Sequence, residues 1–488
     1  MKISELLKNI EYSHVINETD LEFDNICYNS KTAKEGDLFI CLKGEHTDGH
    51  NFAQMAYENG VKVFVCERKL DCEAMQIIVP STRLIIAKIS AVLYDNPSQK
   101  FNLIGITGTN GKTTVTHLIQ RILEDNNKKC ALIGTLGYKL ASDGEYKEAK
   151  HTTPQAPELQ HTFKTILDNG IENVAMEVSS HALEQNRVGE CDFNGAVLTN
   201  LTQDHLDYHI TMNNYFDAKS ILFKGLKSGS FAIINADDEY AQKFLNVIPD
   251  DVRIYTYGVK NNADIKAYDI DFSIHGAHYK CETPKGDFEI NLELNGMFSV
   301  YNSLAALSVA IAMNLNIEQS VKTLEQTKCV AGRFEIVCKK PLVIVDYAHT
   351  PDGLKNVLLA AREITPKTSK LICLFGCGGD RDATKRPKMG QIADELADKI
   401  VVTSDNPRSE DPELIISDIM TGIKTVNTQR VFVEPDRGNA IKLLTRISDE
   451  NDVIIVAGKG HEDYQILKDR TIHFDDREEV RKNFKILV

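Results

Sequence analysis

The stretch Leu103-Ile104-Gly105-Ile106-Thr107-Gly108-Thr109-Asn110-Gly111-Lys112-Thr113-Thr114 runs into Val115 to Leu123, whose apolar residues recur at helical spacing. A short apolar run, a Gly/Thr turn and an amphipathic helix, in that order, begin a βαβ unit. In such a turn the backbone N–H groups and the positive end of the helix can cradle phosphate oxygens. Lys112 would reach the outer phosphates and Thr113 would ligate Mg²⁺. The full GxxxxGK[ST] pattern asks for Gly at position 106, where this chain has Ile106, so the loop is a shortened variant with its Gly-Lys-Thr core intact. A glycine-rich turn that merely joins strand to helix is the alternative. Strand, helix and core together favour ATP or GTP binding.

Outward from this loop, Ala131 to Ile133, Val174 to Val178, Ala196 to Leu198 and Phe231 to Ile234 read as further strands. Between residues 264 and 294, Tyr268, Ile270, Phe272 and Ile274 alternate with polar residues and Gly276 and Gly286 punctuate them, which predicts antiparallel hairpins on the sheet edge. After a helical stretch, Val300 to Met313, a new strand and helix alternation starts at Leu342. Residues before about 82 form a smaller alternation. We therefore expect an α/β protein of three domains: 1–82, a nucleotide-sugar-binding unit; 83–330, a mainly parallel ATP-binding unit; and 331–488, a Rossmann-like unit.

The chain has 488 residues, enough for several cores. Its net charge of −14 disfavours nonspecific attraction to nucleic acid or to anionic membranes. No apolar run approaches the ~18 residues of a membrane span, and charges interrupt the N-terminal segment where a secretory signal would be apolar. A cytoplasmic protein is expected. The 11 cysteines form no CxxC pair and read as ordinary thiols.

Polar groups cluster after the predicted strands, where open α/β sheets bind ligands. Glu177 ends one strand, and Asn200 to His209 follows another. A carboxylate there suits a magnesium nucleotide site, although each residue alone could be solvated loop polarity. Lys219 stands out. In the predicted helix Tyr215 to Phe223 it lies on the stripe of Tyr215, Phe216, Leu222 and Phe223. Either it snorkels to solvent, or burial depresses its pKa and leaves a neutral amine for modification or chemistry.

These residues resemble the Mur ligase family, ATP-dependent amino-acid ligases of peptidoglycan assembly. The resemblance rests on Thr107 to Thr114, His151-Thr152-Thr153-Pro154, Met176 to His181, Thr199 to His209, Gly332-Arg333-Phe334-Glu335 and Asp346 to Pro351, all in family order. Asp405-Asn406-Pro407-Arg408 and Gly458-Lys459-Gly460-His461-Glu462 are similar to the branch that adds meso-diaminopimelate to UDP-MurNAc-L-Ala-D-Glu.

The resemblance implies an ATP site at Gly108, Thr109, Asn110, Gly111, Lys112, Thr113 and Thr114 with Asn302, Arg333 and Asp346. It implies a UDP-MurNAc-dipeptide site near Ser30, Thr152, Thr153, Ser179, Gln185 and Arg187. Arg381, Asp405, Asn406, Arg408, Gly458 and Glu462 would line the amino-acid pocket. Thr113 and Glu177 would hold one Mg²⁺, and His205 with a carbamylated Lys219 a second. Lys112, Lys219 and His205 would be catalytic. Family members commonly carry Asn where this chain has Ser299, which leaves Asn302 as the amide candidate.

Arg408 has an independent rationale, since a guanidinium binds a carboxylate bidentately and repels the ammonium of L-lysine. The implied chemistry is phosphorylation of the D-glutamate side-chain carboxylate, then attack by the amine, for whose proton His205 and His349 are candidates by type. Small-molecule substrates, no membrane insertion and a monomer are expected. A lysine-adding relative, a folylpolyglutamate-type ligase and a nucleotide-dependent regulator stay open.

Overall fold

The computed structural model describes residues 1–44, 47–149, 151–273, 276–424 and 429–484. The strand and turn around Thr107 lie at the centre of the molecule. Strand Asn102–Thr107 pairs in parallel with Gly195–Leu198 on one side and Asn173–Glu177 on the other. All three strands are buried on both faces apart from the solvent-exposed Asn102, as expected of a parallel sheet covered by helices. The sheet has ten strands. Helices Lys112–Asp125 and Met297–Ala312 pack one face, and Ala156–Asp168 and Met212–Lys224 pack the other.

The expected hairpins are strands Ile265–Ser273, Gly276–Thr283 and Gly286–Leu292 at the sheet edge. Their side-chain pattern differs from the reading of the sequence. Ile265 and Ala267 are buried, whereas Tyr268 is exposed and Ile270 and Phe272 are partly buried. The register shifts between Tyr268 and Asp271, and Asp269 has φ +50°. A bulge inserts one residue and moves the inward face from odd to even positions. Ile274 lies outside the described residues.

A five-stranded sheet precedes the central one and a six-stranded sheet follows it. Helix Thr82–Leu93 packs Ile85, Ile86 and Ile89 into the first core, which thus takes in residues on both sides of the 82/83 boundary expected from the sequence. Its other side meets helix Ala156–Asp168 of the central unit. In the last unit, strands Leu342–Asp346, Val453–Ala457, Leu371–Phe375 and Lys399–Val402 are parallel neighbours in that order. Their C-terminal ends face the phosphate loop. Asn110 Nδ2 donates to Asp352 at 3.1 Å, and Arg333 Nη2 to Thr113 Oγ1 at 3.1 Å.

Eight of the 11 cysteines are buried, and all are free thiols. Among the described residues, no helix is long and apolar enough to cross a membrane.

Candidate active site

The loop after Asn102–Thr107 turns on two glycines. Gly108 has φ +148°, and a Cβ there would sit 1.9 Å from Thr199 Oγ1; Gly111 has φ +87°, and a Cβ would sit 2.5 Å from Asn302 Oδ1. Only glycine lets the neighbouring chain come this close. Gly111 caps helix Lys112–Asp125, whose first N–H groups lack intrahelical partners. Around the loop, Thr109 N donates to Asn200 O at 2.8 Å, and Asn110 N to Asn200 Oδ1 at 2.9 Å.

Two lysines converge on one carbonyl. Lys112 Nζ donates to Gly108 O and Thr109 O, both at 2.8 Å, and Lys219 Nζ donates to Gly108 O at 2.9 Å. Lys219 is 1% exposed and its amine lies 4.6 Å from the centre of the Tyr215 ring, so it does not snorkel. Burial drives the Lys219 pKa well below the ordinary lysine value, Lys112 adds to that and Asp204 opposes it. Burial also lowers Lys112, with Glu177 and Asp204 opposing.

Glu177 ends its strand against the loop. Its carboxylate accepts from Thr113 Oγ1 at 3.1 Å, Thr135 N at 2.9 Å and Thr135 Oγ1 at 3.0 Å. His205, in the left-handed conformation, meets Asp204 through its backbone N at 2.9 Å and its ring at 3.3 Å. Burial holds its pKa down to about 3 despite Asp204.

From the last unit, Asp346 receives the N–H groups of Phe334 and Ala348, both at 2.7 Å, and thereby shapes the turns around Arg333 and Tyr347. Arg333 lies over the Tyr347 ring at 4.6 Å. Asn110, Gly111, Thr114, Asn302, Arg333 and Asp346 line a cavity of about 570 Å³ that also includes Tyr301 and Phe298. Ser299, the departure from the family pattern, donates to Asn295 O, just before its helix Met297–Ala312, at 2.7 Å.

A second cavity, about 970 Å³, is lined by Arg381, Asp405, Asn406, Arg408, Gly458 and Glu462 together with Thr152, Asp204, His205 and His349. Tyr347 borders both cavities. Arg408 Nη1 donates to Gly379 O at 2.8 Å, while its Nε and Nη2 have no hydrogen-bond partner among the described residues. Asn406 Nδ2 and Lys459 Nζ both donate to Glu462 Oε2, at 2.9 and 3.0 Å. Burial and Asp405 push the Glu462 carboxyl up, and Lys459 opposes them. His349 donates Nδ1–H to Tyr347 O at 2.9 Å, which leaves Nε2 as an acceptor 4.0 Å from Asp204 Oδ2. Burial, then Lys385, lowers its pKa.

Thr153, Ser179, Gln185 and Arg187 form one network. Ser179 N donates to Thr153 Oγ1 at 3.0 Å, Arg187 Nη1 to Thr153 O at 2.9 Å and Arg187 Nη2 to Gln185 Oε1 at 2.8 Å. Thr152 Oγ1 lies 3.1 Å from Thr135 Oγ1, close to Glu177. Ser30 belongs to the first unit, where its carbonyl accepts from Asn59 at 2.8 Å. Tyr28 beside it donates across the units to Glu158 at 2.5 Å. Sequence reading did not single out Tyr347, Asp204 or Lys459, although all three lie within quoted motifs; only their contacts set them apart.

Comparison with known proteins gives concordant results. The Mur ligase middle domain matches residues 106–310, the Mur ligase glutamate ligase domain 332–460, and the Mur ligase family catalytic domain 22–101. A UDP-N-acetylmuramoyl-L-alanyl-D-glutamate--2,6-diaminopimelate ligase of Clostridium botulinum is 44% identical, covering 99% of this chain and 100% of that protein. The ligase of the same name from Listeria monocytogenes serotype 4b is 42% identical over 99% of this chain and 98% of its own. A solved structure bearing that name superposes with TM-score 0.66 at 34% identity over 95% of both chains. Folylpolyglutamate synthase of Mycobacterium tuberculosis, 17% identical over 77% of this chain and 92% of its own, shares the fold with TM-score 0.65. Matched along nearly its whole length, the chain belongs to the Mur ligase family.

Proposed function

We propose that this chain is an ATP-dependent ligase that joins an amine of meso-diaminopimelate to the D-glutamate side-chain carboxylate of UDP-MurNAc-L-Ala-D-Glu. The observation that carries the reading is the larger cavity, where a pocket bearing Arg408, Asp405 and Glu462 opens onto Asp204 and His205 beside the phosphate loop. A zwitterion with two ammonium and two carboxylate groups needs such a mixed set of charges. The two relatives described above carry the corresponding name.

The glutamate carboxylate oxygen attacks the terminal phosphorus of ATP, the bond to ADP breaks, and an acyl phosphate forms. Lys112 and the N–H groups of the glycine loop stabilise the charge on the transferring group. The amine nitrogen then attacks the acyl carbon, a tetrahedral intermediate forms, and inorganic phosphate departs. His349 Nε2 takes the amine proton. Its Nδ1–H is committed to a carbonyl, and its lowered pKa keeps the lone pair free near neutral pH.

The donor set fits Mg²⁺. Glu177 and Thr113 supply hard oxygen ligands 3.1 Å apart, and the depressed, buried amine of Lys219 has the nucleophilicity that carbamylation requires. Thr113 and Glu177 would hold one ion, and His205 with carbamylated Lys219 another; bound Mg²⁺ would neutralise phosphate charge. Thr153, Ser179, Gln185, Arg187, Thr152 and Ser30 would hold the nucleotide-sugar dipeptide. A guanidinium clamp on the distal carboxylate of meso-diaminopimelate explains the role of Arg408.

Phosphate release from ATP, followed with UDP-MurNAc-L-Ala-D-Glu and one amino acid at a time, tests the reading. Turnover with meso-diaminopimelate and little with L-lysine is expected. Equal turnover with both, or turnover with no acceptor, contradicts it.

A further inference from the structure

Among the described residues, the bulkiest fully buried side chain is a cation, Arg437, at the start of helix Arg437–Ile447. It sits beneath the amino-acid pocket. Its Nε and Nη2 donate to the two oxygens of Asp476, each at 2.7 Å, and both side chains are 0% exposed. Two of the other three N–H donors reach backbone carbonyls: Nη1 to Ser404 O at 3.2 Å and Nη2 to Ala457 O at 2.9 Å.

Those two carbonyls belong to strand ends that are not neighbours in the sheet. Ala457 ends strand Val453–Ala457, and Ser404 follows strand Lys399–Val402. Strand Leu371–Phe375 lies between them, so the strands are two spacings apart, roughly 10 Å. No backbone ladder can join their ends. The next residue after Ser404 is Asp405, and the next after Ala457 is Gly458. The guanidinium therefore bridges the roots of both loops that line the pocket.

The loops are close where the bridge holds them. A Cβ on Gly458, which has φ +120°, would lie 2.7 Å from Asp405 Oδ2 and 3.8 Å from Arg437 Nη2. The positive charge of Arg437 also acts on Asp405 and Glu462, both of which favour its charged form. A buried ion pair is a poor source of stability, because desolvation offsets its attraction and an apolar pair of like volume often does as well. What apolar residues could not do is hold two carbonyls at a set spacing with a planar fork.

We infer that Arg437, clamped by Asp476, is a positioning residue of the amino-acid pocket, fixing the spacing between the loop of Asp405 to Arg408 and the loop of Gly458 to Glu462. The inference rests on the reading of that pocket as the meso-diaminopimelate site.

Steady-state ADP release by the full chain, with meso-diaminopimelate, ATP and UDP-MurNAc-L-Ala-D-Glu varied in turn, tests it. Arg437→Lys keeps the charge and loses the fork, Asp476→Asn keeps the shape and loosens the clamp, and Arg437→Met with Asp476→Leu removes the pair. The KM for meso-diaminopimelate should rise about tenfold or more, while the KM values for ATP and the dipeptide stay within about twofold. An unchanged meso-diaminopimelate KM in any folded variant overturns the inference, and so does a parallel rise of all three constants. If the double variant does not fold, the two conservative variants decide. If the unsubstituted enzyme does not use meso-diaminopimelate, the reading of the pocket fails and the role of Arg437 is not at fault.

Discussion

The phosphate loop and the amino-acid pocket both bury cations next to carboxylates, yet they treat them in opposite ways. At the loop, Lys112 and Lys219 share a carbonyl oxygen, and burial depresses both amines. In the pocket, Lys459 pairs with Glu462, and beneath it Arg437 pairs with Asp476. A buried amine without a carboxylate partner is available for chemistry, whereas a paired cation is committed to geometry. The first region should therefore respond to substitution through turnover and the second through substrate affinity.

Removing an amine at the loop should give the largest effect. Lys219→Ala is expected to lower turnover by about 10² to 10³-fold, with short carboxylates in the assay restoring part of it. ADP release in formate or acetate against chloride measures this, and an unimpaired variant would erase the distinction between the regions. Next comes Arg408→Ala, for which the KM of meso-diaminopimelate should rise about 10 to 100-fold with little change in that of ATP. A fall in kcat at constant KM would instead put Arg408 on the chemical side.

A smaller effect concerns pH. Burial holds His117 down to about 4 and His461 down to about 3, against an ordinary value near 6.5. Below pH ~6.5 the unfolded chain binds protons that the folded chain refuses, so stability should fall by roughly 1 kcal/mol per pH unit for each histidine until the folded values are passed. Melting temperatures from pH 7 to pH 4 follow this, and His117→Gln should flatten the slope. Least affected should be Leu414→Ser. That side chain is 65% exposed on helix Pro412–Met420, and stability should shift by no more than ~0.5 kcal/mol by denaturant titration.

Much of this was legible before any coordinates. The glycine loop could be read because phosphate binding there uses the backbone of one contiguous strand, turn and helix, and Lys219 because a helix converts spacing directly into a face. The hairpin strands at 265–292 were legible as elements but not in their facing, since the bulge near Asp269 left no signal in the alternation of polar and apolar residues.

The sequence by itself determined the α/β class, the phosphate loop and the family, all of which depend on local order along the chain. Only the tertiary structure decided that both lysines meet at Gly108 O, that His349 turns its Nε2 towards Asp204, and that Arg437 spans Ser404 and Ala457. Those contacts join residues far apart in the chain, and which strands end side by side is settled by the packing of the sheet and not by the spacing of the residues along it.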